Sequence, residues 1–348
     1  MVDRAGPTPG ARQHVLWQTV KLLVTGGAGY IGSVVSTLLV EAGHDVVILD
    51  DLSTGHPDAV PPDATLVHGR VHDAARVVTP ELDAVLHFAG YIAAGESMVR
   101  PEIYWENNVV GSLALLDAVR AAGVPRLVFS STAAVYGNPS KLPISEQAAT
   151  APTNPYGSTK LAIDLALAAE CAAHGLAAVS LRYFNVAGAL VRDGHRPIGE
   201  RHDPETHLIP LALEVAAGRR EKLQLFGDDY PTPDGTCIRD YIHVADLARA
   251  HLLALDAAEP GRHRIYNLGN GSGFSNRQVV DVVREVTGHP LPVEVAPRRP
   301  GDPAALVASS AKARAELGWA PEKPALADIV ADAWRYYREC VDQGRERG

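Results

Sequence analysis

A chain of 348 residues with 46% hydrophobic and 21% charged residues has the balance of one large globular domain or two modest ones. That balance excludes a disordered chain, a collagen and a disulfide-stapled miniprotein, and a net charge of −9 excludes nucleic acid held by a general basic field. No uninterrupted apolar stretch approaches the roughly 20 residues that a membrane helix needs, so no membrane partner is expected.

Residues 1–20 hold Gly6, Pro7, Pro9 and Gly10 but no apolar signal-peptide core, which predicts a flexible N-terminal extension. Cys171, Cys237 and Cys340 are scattered, with no Cys-x-x-Cys pair, so neither a disulfide framework nor a zinc ribbon is expected. The 14 histidines include no His-Glu-x-x-His, and no metal is expected. These features predict a reduced, cytoplasmic protein.

The first strand is expected at Lys21–Thr25. Gly26-Gly-Ala-Gly-Tyr-Ile-Gly32 follows at once, then a helix over Ser33–Ala42 that Gly43 closes. Further strands are expected at Val46–Asp50, Thr65–His68, Ala84–Phe88, Leu127–Ser130 and Ala178–Phe184, with helices over Asn107–Ala122 and Tyr156–His174. Continuous apolar strands alternating with helices predict a Rossmann-type, doubly wound parallel α/β sheet covered on both faces. Beyond Gly188 the pattern loosens, with helices at Leu208–Ala217 and Asn276–Thr287 and a strand at Arg264–Leu268. The expected division is a dinucleotide-binding domain over 21–187, to which 241–270 returns, and a smaller substrate-binding domain from 188–240 and 271–348.

Gly27-x-Gly29-x-x-Gly32 lies between a predicted strand and a predicted helix, where such glycines make a tight turn, admit a pyrophosphate and let helix and strand pack closely. Asp50 ends the second strand, about the 20 residues on at which a ribose-binding carboxylate is required. No Arg or Lys follows in Asp51-Leu-Ser-Thr-Gly55 to meet a 2′-phosphate, which favours NAD over NADP.

Tyr156-Gly-Ser-Thr-Lys160 places a phenol and an ammonium on one face of a helix. A tyrosine with an ordinary pKa of about 10 can act as a base near neutrality only if its phenolate is stabilised, and a nearby lysine or a cationic nicotinamide would do so. With 11 tyrosines and only six lysines, chance yields such a pair about 0.2 times. The preceding strand ends in Ser130-Ser-Thr132, whose hydroxyls would open into the ligand crevice. Thr132 is the candidate to hold a reacting substrate hydroxyl. Taken alone, a serine or threonine there could simply terminate a strand.

These segments run in order with Phe88-Ala-Gly90, Gly95-Glu-Ser97, Asn107-Asn-Val109, Arg182-Tyr-Phe-Asn-Val-Ala-Gly188, Phe226-Gly-Asp-Asp-Tyr230, Ile238-Arg-Asp-Tyr-Ile-His243, Tyr266-Asn-Leu-Gly269 and Pro297-Arg-Arg-x-Gly-Asp302. Over roughly residues 21 to 338 the series resembles the UDP-glucose 4-epimerase family of extended short-chain dehydrogenase/reductases. The resemblance implies an NAD-dependent isomerase that interconverts UDP-glucose and UDP-galactose through a 4-keto sugar, with Tyr156, Lys160 and Thr132 catalytic, and implies a homodimer. It further implies cofactor contacts from Gly26, Gly29, Tyr30, Ile31, Gly32, Asp50, Asp51, Ser53, Thr54, Gly55 and Val71. To these it adds Phe88, Ala89, Gly90, Asn107, Ser130, Tyr183 and Phe184. On the substrate side it implies Thr132, Tyr156, Asn185, Leu208, Leu225, Phe226, Arg239, Arg299, Asp302 and Leu306, with the arginines on the diphosphate.

Related dehydratases and decarboxylases carry acidic residues where this chain has Ala133 and Ala134, which favours epimerisation without elimination. Three departures stand out. Gly69-Arg70 replaces the family's Gly-Asp at the adenine, and Ile92 replaces a lysine near the cofactor, together a loss of about 1–3 kcal/mol in NAD retention. Leu306 occupies the position where a tyrosine often gates the sugar pocket, which would leave room for UDP-N-acetylglucosamine. The alternatives are 4-epimerisation of a TDP-hexose, a UDP-uronic acid or a UDP-pentose, or an NAD-binding sensor without catalysis. A sensor has no need of Tyr156 and Lys160.

Overall fold

The computed structural model describes residues 19–299 and 302–342. Most of the N-terminal extension, Pro300, Gly301 and the Cys340 side chain lie outside the described residues. Seven parallel strands form the main sheet: β1 (Lys21–Thr25), β2 (Asp45–Asp50), β3 (Thr65–His68), β4 (Ala84–His87), β5 (Arg126–Thr132), β6 (Ala177–Tyr183) and β7 (His263–Leu268). Their spatial order is β3-β2-β1-β4-β5-β6-β7, so the direction of winding reverses between β1 and β4. Such a reversal opens a crevice at the carboxyl ends of the strands, where ligands of this fold bind.

The strands are apolar on both faces because both are covered. Leu22 and Val24 join Val34, Val35 and Leu39 of α1 (Tyr30–Glu41) and Val244, Leu247 and Ala248 of a helix over Val244–Asp256. Leu23, between them in sequence, packs to the opposite side with Leu115 and Val119 of α2 (Gly111–Ala122) and Ile163 and Leu167 of α3 (Pro155–His174). Burial of two faces by alternating positions of one strand follows from the two-residue period of β structure.

A separate core joins Ile209, Ala212 and Leu213 of α4 (Leu208–Ala216) to Val279, Val280 and Val283 of α5 (Asn276–Thr287) and to Ile329 and Val330 of a helix over Leu326–Tyr336. Around it lie short strands: Leu223–Phe226 pairs with Val293–Ala296, and Ile238–His243 pairs with Asn185–Ala187, Gly273–Ser275 and Ala305–Leu306. α5 has the bounds its sequence predicts, since Ser275 and Gln278 form a capping box at its start and Gly288, at φ +69°, ends it. The expected helix from Asn107 differs in form: Trp105–Val110 makes a π-helical turn before α2 begins at Gly111. Wide turns of this kind expel one residue from the helical repeat and recur at functional sites.

Candidate active site

The floor of the crevice is the turn between β1 and α1. Gly26 adopts φ +72°, and a Cβ there would lie 2.5 Å from Ala89 N. A Cβ on Gly32 would lie 2.1 Å from the Gly26 carbonyl oxygen. Both positions exclude any side chain because backbone meets backbone. Gly29 differs: a Cβ would meet only Gly26 O, at 3.4 Å, so open space faces it. Gly29 is also the N-cap of α1 and supplies no side-chain cap. The uncapped first turn and the open approach fit a pyrophosphate drawn to free N–H groups and the helix dipole.

Asp50 ends β2, buried, with Oδ2 accepting the Ala28 N–H at 2.9 Å and Oδ1 the Leu52 N–H at 2.8 Å. Burial pushes its carboxyl up, against these two hydrogen bonds. A Cβ on Gly55 would come within 2.7 Å of Asp50 Oδ1, and Leu52 adopts φ +58°, so a tight loop is folded around the carboxylate. Asp51 accepts the Ser53 hydroxyl at 2.6 Å, and Ser53 and Thr54 are exposed. Tyr30 and Ile31 sit in the first turn of α1, the Tyr30 hydroxyl donating to Gly188 O at 2.8 Å. Phe88, Ala89 and Gly90 follow β4, while Ser130 and Tyr183, on adjacent strands, are joined through their hydroxyls. Phe184 follows directly and is buried with Tyr136 and Ile144. Val71 is buried against Gly111, whose Cβ would lie 2.5 Å from it. Arg70 is exposed, as is Ile92 at 45%.

Tyr156 and Lys160 are set by the start of α3. Asn154 caps the helix by accepting the Gly157 N–H at 2.8 Å, and Pro155 occupies the first turn. One turn separates Tyr156 from Lys160, and the Tyr156 N–H donates to Ser97 Oγ at 3.2 Å. Lys160 is buried and donates from Nζ to Ser130 O at 2.9 Å; burial pushes its pKa down to about 8, with Asp164 opposing. Burial pushes the Tyr156 phenol up, and a hydrogen bond with the Thr132 hydroxyl draws it down. Thr132 Oγ1 also accepts the Ala134 N–H at 3.1 Å. α3 is fixed to the sheet by a buried ion pair, Asp164 with Arg182 of β6 at 2.8 Å, which also accepts Ser131 Oγ at 3.2 Å.

Asn108 is the polar residue of this region that motif reading passed over in favour of Asn107. A Cβ on Gly90 would lie 3.2 Å from Asn108 Oδ1 and 3.5 Å from Lys160 Nζ. Asn108 is buried and bonds both the Tyr91 N–H, at 2.8 Å, and the Tyr91 carbonyl, at 3.0 Å. Asn107 is half-buried and donates to Asn108 Oδ1 at 3.3 Å. The Asn-Asn pair was visible in sequence; the π-turn that buries its second member was not.

Across the crevice, Leu208, Leu225, Phe226, Arg299 and Asp302 line one cleft with Thr206, Leu211, Gln224 and Asn276, four liners that no motif signalled. The Arg299 guanidinium lies 3.9 Å above the Phe226 ring. Arg239 Nη1 donates to Ile238 O and Pro303 O, each at 2.9 Å, and Nη2 lies 3.6 Å from Asp302 Oδ1. Leu306, half-buried, pairs in register with Arg239, while Asn185 pairs with Tyr241 on the same strand as Arg239.

The model of the NAD dependent epimerase/dehydratase family matches residues 22–269. The UDP-glucose 4-epimerase of Corynebacterium glutamicum is 59% identical over 91% of this chain and 95% of its own length. The crystal structure of UDP-glucose 4-epimerase from Brucella ovis in complex with NAD is 46% identical, with a TM-score of 0.86, over 92% of this chain and 98% of that one. The UDP-Glc/GlcNAc 4-epimerase from Campylobacter jejuni is 39% identical, with a TM-score of 0.78, over 92% of this chain and 100% of that one. With the fold in agreement with these likenesses, the chain belongs to the NAD dependent epimerase/dehydratase family, among its UDP-glucose 4-epimerases.

Proposed function

We propose that this protein interconverts UDP-glucose and UDP-galactose, with Tyr156 as the acid–base group at the sugar 4-hydroxyl. The observation that supports it most is the placement of Tyr156 one helical turn before buried Lys160, whose Nζ donates to the main chain of the strand that ends in Thr132. Thr132 holds the reacting hydroxyl, and Tyr156 takes its proton and returns it. Proton transfer by one positioned side chain contributes about 10²–10⁴ in rate. NAD, when bound, supplies the acceptor and donor of the C4 hydride. Gly26, Gly29, Gly32 and Asp50 would hold it, with Lys160 beside the reacting end. Arg239 and Arg299 would fork the diphosphate, and Leu225 and Phe226 would wall the base. Incubation of the protein with UDP-galactose and NAD, followed by NMR of the anomeric protons, is expected to show UDP-glucose appearing. No conversion with NAD demonstrably bound would overturn the substrate assignment.

Half-buried Leu306, in place of a ring, supports turnover of UDP-N-acetylglucosamine as well. A cytoplasmic homodimer belongs to the same reading. Supporting it, Trp105, Val110, Leu113 and Leu165, on helices that pack side by side, and Met98 and Val99, in a neighbouring turn, are apolar yet 42–79% exposed. Among the described residues no helix is long and apolar enough to cross a membrane.

A further inference from the structure

Glu200, His202, Glu205 and His207 lie on the segment that joins the short strand Ile198–Gly199 to α4. One ligand atom from each falls within 4.8 Å of all the others. His202 Nδ1 is 3.2 Å from Glu200 Oε1 and 3.6 Å from Glu205 Oε2. His207 Nδ1 is 2.7 Å from the same Glu200 oxygen and 3.4 Å from Glu205 Oε1. The two carboxylates are only 7% and 8% exposed. Both Nδ1 atoms are shielded from solvent, and neither makes a hydrogen bond of acceptable geometry. The four groups thus meet in one cluster.

Four donors around a tetrahedral zinc, with bonds of about 2.0–2.2 Å, stand about 3.3 Å from one another, close to the spacing seen here. Charge points the same way. With both imidazoles neutral, as metal ligation requires, the two buried carboxylates carry two negative charges that a divalent cation would neutralise. We propose that Glu200, His202, Glu205 and His207 bind one divalent transition-metal ion, with zinc as the best match to an N₂O₂ donor set. The role is structural. Thr206, between two of the ligands, and Leu208, just after the last, both line the substrate cleft, so the ion would pin the edge of that cleft. A protein-only alternative exists, in which both imidazoles are protonated and share the carboxylates; burial opposes this, while the two glutamates hold the histidine pKa values up to about 9 and 10.

The full chain, stripped with a chelator and dialysed, is titrated with Co²⁺. One equivalent per chain is expected, with the visible absorption of a four-coordinate site, bleached by one equivalent of Zn²⁺. Zinc is then expected to raise the Tm of the stripped protein. His202→Gln and Glu205→Gln should each weaken cobalt binding at least about tenfold. Failure of the unaltered chain to take up cobalt in stoichiometric amount overturns the proposal, even if both variants misfold. Uptake that is unchanged in both variants overturns it too, since the ion would then sit on other histidines. Neither readout depends on epimerase turnover.

Discussion

The two walls of the crevice are held by different kinds of contact. On the cofactor side the backbone touches itself, so that a Cβ on Gly26 or Gly32 would come within 2.5 Å of a main-chain atom. On the substrate side long side chains reach across loops, as Arg299 does over Phe226 and Arg239 toward Asp302. A main-chain cradle offers one shape and suits a ligand that never changes. Under the proposed function, side chains on rotatable stems would follow a sugar nucleotide as its hexose turns over. Rigidity and adjustability are thus divided between the walls, while α3, which carries Tyr156 and Lys160, is fixed to the sheet by Arg182 and Asp164.

The comparison breaks first at the pair that serves both walls. Tyr156→Phe is expected to lower kcat by about 10²–10⁴ while bound NAD, read from absorbance, stays at the wild-type level. Loss of NAD alongside turnover would show that the phenol mainly holds cofactor. The walls themselves should separate by readout. Arg239→Met is expected to raise the KM for UDP-galactose about tenfold or more, as loss of charged hydrogen bonds worth about 1.5–3 kcal/mol implies, with little change in Tm. Gly32→Ala should do the reverse, costing about 1–3 kcal/mol of stability through overpacking. Gly95→Ala, where nothing lies within 4 Å, serves as its control. Equal effects of Gly32→Ala and Gly95→Ala on Tm would remove the argument for a rigid cradle.

A third test concerns Asp240, fully buried behind the substrate wall, whose carboxylate accepts the N–H groups of Asn270, Gly271 and Ala308 at 2.7–3.0 Å. Burial pushes its pKa up to about 6, against those bonds. The folded state therefore favours the protonated form. That contribution is complete below the ordinary value of 3.8 and is lost as pH rises through about 6. Its size is about 3 kcal/mol at most, at roughly 1.4 kcal/mol per pKa unit. Asp240→Asn should remove this slope from urea midpoints measured between pH 4 and 7 (roughly the titration window). Parallel curves for the two proteins would show that another group sets the slope. The smallest effect is expected at Leu306→Tyr, a loss of about tenfold in the rate on UDP-N-acetylglucosamine relative to UDP-glucose. An unchanged ratio would mean that this side chain does not gate the pocket.

Legibility followed the range of the contacts. The glycine turn, Asp50 and the Tyr156–Lys160 pair were readable because each depends on neighbours within a strand and a helix. α5 was readable to the residue because its caps are local. Asn108 was not, since its burial depends on a π-turn and on Tyr91, 17 residues away. Gln224 and Asn276 reach the cleft through strands of only three or four residues, whose pairing partners lie far off in sequence. The same limit hid the two glutamates and two histidines of residues 200–207. Their spacing, Glu-x-His-x-x-Glu-x-His, matches no regular period, and a loop has to fold before their donor atoms meet.

The amino-acid sequence by itself thus determined the doubly wound sheet, the tight glycine turn and the one-turn spacing of Tyr156 and Lys160, because hydrophobic period, glycine freedom and helical spacing are properties of short stretches of chain. Tertiary structure alone decided which asparagine of the pair is buried against Tyr91, which side chains line the cleft with Arg299, and that the donors at 200–207 meet. Those outcomes depend on long-range packing, in which the position of each group is set by elements far from it in sequence.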